Sequence, residues 1–147
     1  MDDAKCCSGA GINKKRVIFG GLLAGLVISV GEFGLNFVLL GKEWAVVMAS
    51  LNRPPVGGKA VLLLNLMCFA FGTALVGMYT AIRPRFGAGP QTAIKVGVVA
   101  WFFAYVLAFG WSYVMSVYPA KVYFLTIAWS FLEINLAALV GGWAYKE

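Results

Sequence analysis

Two acidic side chains lie inside long apolar runs: Glu32 in Val30-Gly-Glu-Phe-Gly-Leu-Asn36, and Glu133 in Ala128-Trp-Ser-Phe-Leu-Glu-Ile-Asn135. A carboxyl in apolar surroundings can hold a proton, bind a cation or hydrogen-bond a neighbouring helix. Polar company stands one helical turn away, with Asn36 after Glu32 and Ser130 before Glu133. Asn65 is the polar group of another apolar run. An ionised group at a bilayer centre costs about 2.5–3.5 kcal/mol on insertion scales. No basic residue lies at matching depth, since Lys95 is near the end of its run. At least one glutamate is therefore expected to carry its proton at neutral pH and to donate to Asn36, Asn65, a hydroxyl or the other glutamate. Two uses follow. Interhelical hydrogen bonds would contribute about 0.6–2 kcal/mol each; a proton- or cation-binding site would mark a transport path. Glutamine would suffice as glue, which lends the second use weight.

Other chemistry is thinly represented. The chain has no histidine, which removes the commonest metal ligand, the usual near-neutral acid or base, and the usual axial ligand of haem. Cys6, Cys7 and Cys68 lack the paired spacing of a zinc or redox site. Adjacent Cys6 and Cys7 bridge only with strain, so they read as free thiols near a membrane, where lipidation is an option. No metal, no cofactor and no enzymatic activity are expected.

These side chains need elements to hold them. The 147 residues are 61% hydrophobic and 12% charged, with 18 glycines, whereas soluble domains average about 45–50% apolar and about 25% charged. The natural solvent is a bilayer. Four apolar segments, at about 17–40, 61–82, 93–115 and 122–145, have 22 to 24 residues each. At ~1.5 Å per residue they reach about 33–36 Å, enough for a ~30 Å hydrocarbon core. The expected fold is all-α: an antiparallel four-helix membrane bundle over 17–147, preceded by a cytoplasmic segment, 1–16. Lys14, Lys15 and Arg16 precede the first run, but it is too long for a signal-peptide core and reads as an uncleaved span.

The net charge of +6 collects at the ends of the runs and does not form a nucleic-acid-binding stripe. Eight of the 12 Lys and Arg fall on the side of the termini and of Arg83-Pro-Arg-Phe-Gly-Ala-Gly-Pro90; Lys42, Arg53, Lys59 and Lys121 fall on the other. The positive-inside bias places both termini in the cytoplasm. The segment Arg83–Pro90, with two prolines and two glycines, reads as a tight loop. Val117-Tyr-Pro-Ala-Lys121 reads as a short outer turn that makes spans three and four antiparallel neighbours. Trp44, Val47, Met48 and Leu51 form the apolar face of a short helix between spans one and two, stopped by Arg53-Pro-Pro55. This helix should lie at the outer interface, anchored by Trp44, and cap the bundle. Tyr113, Tyr118 and Tyr123 should mark the outer interface, and Tyr79, Trp143 and Tyr145 the inner one.

Helical rotation of ~100° per residue sorts the faces. Gly21, Gly25, Ser29, Glu32 and Asn36 fall within about an 80° arc, as do Thr126, Ser130, Glu133, Ala137 and Gly141. Asn135 points toward the side of Gly142. Ala100, Ala104 and Ala108 form a small-residue seam on the third span, and Asn65, Cys68, Gly72 and Val76 share a side of the second. Small residues let helices approach closely, and polar ones find partners there. With spans one and four as neighbours, Glu32 and Glu133 could come within side-chain reach.

The segments GGLLAGLVISVGEFGLN, AIRPRFGAGPQTA and AWSFLEINLAALVGGWAYKE resemble those of a family of small four-span proteins of the bacterial inner membrane, uncharacterised in activity. That resemblance implies architecture and a multi-pass location. Small multidrug transporters also have four spans and a membrane glutamate in the first, but their surrounding motif is not visible around Glu32. The expected role is a non-catalytic structural, accessory or assembly bundle, contacting lipid and packing with itself or within a larger membrane complex. The alternative is a small proton-coupled transporter or channel that uses Glu32 and Glu133.

Overall fold

The computed structural model describes residues 13–145. Lys5, Cys6, Cys7, Lys146 and most of the expected 1–16 segment lie outside the described residues. Helix α1 spans Lys14–Phe33 and continues as a π-helical segment over Gly34–Leu39. Helix α2 spans Gly41–Ser50 and α3 Gly58–Phe86. The third long rod joins α4 (Pro90–Trp101), a π-helical segment (Phe102–Leu107) and α5 (Ala108–Val114); α6 spans Ala120–Ala144. Four rods are long and apolar enough to cross a membrane, Lys14–Leu39, Gly58–Phe86, Pro90–Val114 and Ala120–Ala144, close to the expected spans. The fold is an all-α bundle, with the short α2 between the first two rods.

Local signals set the helix ends. Asn13 caps α1, its side-chain oxygen accepting from the Arg16 amide at 3.3 Å. Pro90 opens α4, where its missing N–H costs nothing. The expected loop Arg83–Pro90 is shorter than its composition implies, because α3 runs through Pro84 to Phe86. Pro84 lies in the last turn, so only one backbone bond is lost, and Arg83 and Arg85 sit where cations complement the helix dipole. The turn itself is carried by Gly87 and Gly89, at φ +84° and +143°, backbone that glycine adopts without strain.

The rods α1 and α6 form the middle of the bundle; α3 packs on α1, α4 packs on α6, and α3 also meets α4 and α6. Glycine permits both central crossings. A Cβ on Gly72 would sit 2.8 Å from the Gly25 Cα and 2.6 Å from the Gly21 carbonyl oxygen. At the α1–α6 crossing, a Cβ on Gly20 would sit 2.8 Å from the Gly141 carbonyl oxygen. The core between them comprises Ala24, Ile28, Leu75, Val76, Ile134 and Ala137, among others. A smaller cluster at the α2 end joins Leu35, Leu40 and Val122 to Trp44 and Tyr118.

The π-helical segments change which residues face inward. On the third rod the buried positions run Val96, Ala100, then Tyr105, a step of five where an α-helix would step by four. A π turn adds a residue, so every later side chain falls out of the phase set by the preceding turns. The expected seam therefore ends early. Ala100 is buried and Ala104 packs at the core's margin, but Ala108 faces outward. Phe109 takes the inward place, stacked with Tyr105 at 6.3 Å between ring centroids. The same shift on the first rod carries burial from Leu35 to Leu40.

Three aromatic residues read as interface anchors belong to the interior. Tyr79 and Tyr145 are buried and meet edge to face, ring centroids 6.5 Å apart. Their hydroxyls accept from the Gly89 and Asn13 amides at 3.1 and 3.3 Å, so polar tips close the terminal end of the bundle. Trp44 turns inward against Tyr118, 5.3 Å between ring centroids. Trp143 and Tyr113 are exposed, as anchoring residues would be.

Candidate functional site

The polar interior lies where the C-terminal end of α1 meets the middle of α6. Glu32 lies where α1 passes into its π-helical segment, and both its carboxyl oxygens accept hydrogen bonds. Tyr105 donates its hydroxyl to Oε1 at 2.8 Å. Asn36 donates its amide nitrogen to Oε2 at 2.6 Å and to the Glu32 carbonyl at 3.0 Å. The amide oxygen of Asn36 in turn accepts the Trp44 indole N–H at 2.8 Å. One continuous chain thus joins the third rod, α1 and α2. It gives an ionisable group inside the bundle the donors that water would otherwise supply.

Glu133, on α6, is 6% exposed. Its Oε2 accepts the indole N–H of Trp129, one turn earlier, at 3.0 Å. Its Oε1 is buried without a hydrogen-bond partner. The carboxyl rests on the backbone of Gly31, where any side chain would collide with it. Glycine at position 31 is thus what lets α1 accept the acid of α6. Glu32 lies within electrostatic range of Glu133, but among the described residues the two share no hydrogen bond.

The other candidates divide between the two glutamates and the helix backbones. Asn36 joins Glu32, as donor rather than acceptor. Asn65 does not reach the site; its amide donates to the Val61 carbonyl of its own helix at 3.0 Å. Ser130 is fully buried one turn from Glu133 and donates to the Ile127 carbonyl at 3.2 Å. Asn135 donates to the Phe131 carbonyl at 2.7 Å and fills the space left by Gly97 on α4. Cys68 lies beside Ser29, within the field of both glutamates. Gly21, Gly25 and Gly141 occupy helix crossings, as described above.

Three residues of the site escape a reading by period alone: Tyr105, Trp44 and Gly31. The Trp129–Glu133 pair does carry a signal, since i and i+4 share a helix face. Tyr105 carries none, because a regular α-helix places it off the alanine seam. At the α2 end Lys121 pairs with Glu43 across the surface, and this contact holds the Glu43 carboxyl below its ordinary range. Among the described residues no three His, Cys, Asp or Glu come together as a metal site would require. The fold and this interior define a helical bundle with four membrane-length rods, one buried carboxyl, Glu133, and one half-buried carboxyl, Glu32. Compared with known proteins, the chain matches no family model, no curated protein and no solved structure.

Proposed function

We propose that the protein is a non-catalytic structural or accessory bundle of the bacterial inner membrane, crossing it four times with both termini in the cytoplasm. The observation that carries this reading is the saturation of Glu32. Both oxygens are bonded, by donors from the third rod and from its own helix, and the chain continues into α2. Such a network ties elements together; a proton-exchanging acid would need a free, solvated oxygen. Orientation rests on the eight-to-four bias of Lys and Arg. A surface for association is also at hand, since α3 from Gly58 to Ala70 buries none of its side chains and presents Leu62, Leu63, Leu66 and Met67 outward.

A proton-coupled transporter or channel is the second reading, favoured by the unpartnered Oε1 of Glu133. Reconstituted vesicles separate the two. Proton or organic-cation flux under a pH gradient is measured for wild type, Glu32→Gln and Glu133→Gln. The structural reading expects no flux from any of them, and a stable complex with itself or another membrane protein on gentle solubilisation. Flux in wild type that both folded variants lose would overturn it.

A further inference from the structure

At the end where α1 begins and α3 finishes, the two helices flank a groove of about 330 Å³, lined by Lys14, Val17, Ile18, Gly77 and Thr80, within the ~300–1,000 Å³ range of ligand sites. Gly77 keeps it open, because a Cβ there would meet nothing within 4 Å. The walls are apolar. Val17 is half-buried, Ile18 is exposed, and the Thr80 hydroxyl already donates to the Gly77 carbonyl at 2.8 Å. Recognition beyond tail packing must therefore come from the end of the groove. There Lys14, which is exposed, opens α1; the apolar stem of a lysine can lie along such a groove while its ammonium reaches the interface. Lys15 and Arg16 follow in the same turn with no acid to offset them, and Arg83 and Arg85 stand in the last turn of α3. The first turn of a helix is also the positive end of its dipole, where a cation is unfavourable and an anion is favoured. The only side-chain carboxyls among the described residues are Glu32, Glu43 and Glu133, and none of them is at this end.

We propose that this groove seats an acyl chain of an anionic phospholipid, with the phosphate on the Lys14 ammonium. Shape and charge together select that occupant. A zwitterionic lipid fits the same walls but brings its own cation to a basic end. A soluble anion pairs with the lysine and gains nothing from the apolar walls. A second copy of the chain, seated on the groove by two-fold symmetry, would bring Lys14 against Lys14 and set like charges together. The site needs only the membrane setting of the rods. It holds for a structural subunit or a transporter, and whichever way the termini face.

The test is native mass spectrometry of the full-length protein in detergent, titrated with dioleoyl phosphatidylglycerol or with dioleoyl phosphatidylcholine. Wild type should bind one phosphatidylglycerol at least about tenfold more tightly than phosphatidylcholine, since each cation near an anionic headgroup is worth about fivefold. Lys14→Gln, at an exposed position, should lower that preference about fivefold. Gly77→Leu and Ile18→Trp fill the groove from its two helices, one into open space and one from an exposed wall, and each should lose the tight phosphatidylglycerol. Lys42→Gln, an exposed cation at the opposite end of the bundle, should bind as wild type does. Equal affinity for the two lipids would overturn the proposal, as would a preference that Lys14→Gln leaves unchanged or that Lys42→Gln lowers as much. Tight binding that survives both groove-filling variants would reduce the effect to diffuse surface charge and overturn it as well. So would a dimer that Ile18→Trp alone dissociates.

Discussion

The bond from Tyr105 to Glu32 is the contact that joins the third rod to the first through the polar interior, and a double-mutant cycle measures it. Tyr105→Phe keeps the ring and its stack with Phe109 but removes the 2.8 Å hydrogen bond. Glu32→Leu removes the acceptor at similar volume. Interhelical polar bonds in membranes average about 0.6 kcal/mol and reach about 1.7, while bonds to charged groups in proteins give about 1.5–3. Tyr105 is buried and no competing donor serves Oε1, so a coupling of about 1–1.7 kcal/mol is expected, at the upper end of the membrane range. Tyr105→Phe alone should cost about 1–2 kcal/mol, because it leaves a half-buried carboxyl oxygen without its donor. Reversible unfolding in mixed micelles, driven by a denaturing detergent, supplies the four free energies. A coupling within the ~0.3–0.5 kcal/mol scatter of independent sites would refute the view that Glu32 binds the rods together.

Further tests address the backbone and the surface. Gly72→Ala should destabilise by about 1–3 kcal/mol, as overpacking does, because its Cβ meets the backbone of α1. Gly77→Ala, on the same helix with open space at its Cβ, should be neutral or stabilise by up to about 1 kcal/mol; unfolding curves compare them. Deleting Phe103, an outward residue of the π-helical segment, should convert that segment to α-helix and leave Tyr105 four residues after Ala100, still facing inward. The same deletion at Met67 in regular α3 rotates one half of the helix against the other by about 100° and should abolish the monomeric fold on size-exclusion chromatography. For the Lys121–Glu43 pair the folded carboxyl is depressed below its ordinary value of 4.5. Its stabilising contribution is therefore present above that value and lost as pH falls through the lower folded value. Thermal midpoints measured through this acid range should fall further in wild type than in Lys121→Met.

Much of the architecture was legible from composition and period. Apolar runs of membrane length specify helices because lipid offers no partner for an unpaired backbone group. The positions of Gly21, Gly25 and Gly141 at crossings follow from the rotation of about 100° per residue, which holds along regular α-helix. The face of α2 was readable in part, since Trp44 and Val47 turn inward together while Leu51, expected on the same face, is exposed. Pro84 misled, because a proline in a last turn costs too little to end a helix there.

The candidate site depended more on the third dimension. Glu32 and Glu133 could be named from the chain, but which donors reach them could not. Tyr105 faces Glu32 because a π turn adds one residue between it and Ala100, and an alanine seam read at α-helical period hides that shift. Trp44 comes from a different element, and Gly31 matters through the acid that α6 places upon it. Sequence by itself determined four rods, their antiparallel order and the presence of two acids within the apolar runs, since these follow from local hydropathy and helical repeat. Only the tertiary structure decided that both oxygens of Glu32 are bonded while one oxygen of Glu133 is buried without a partner, because hydrogen-bond pairing depends on which helices meet and at what phase.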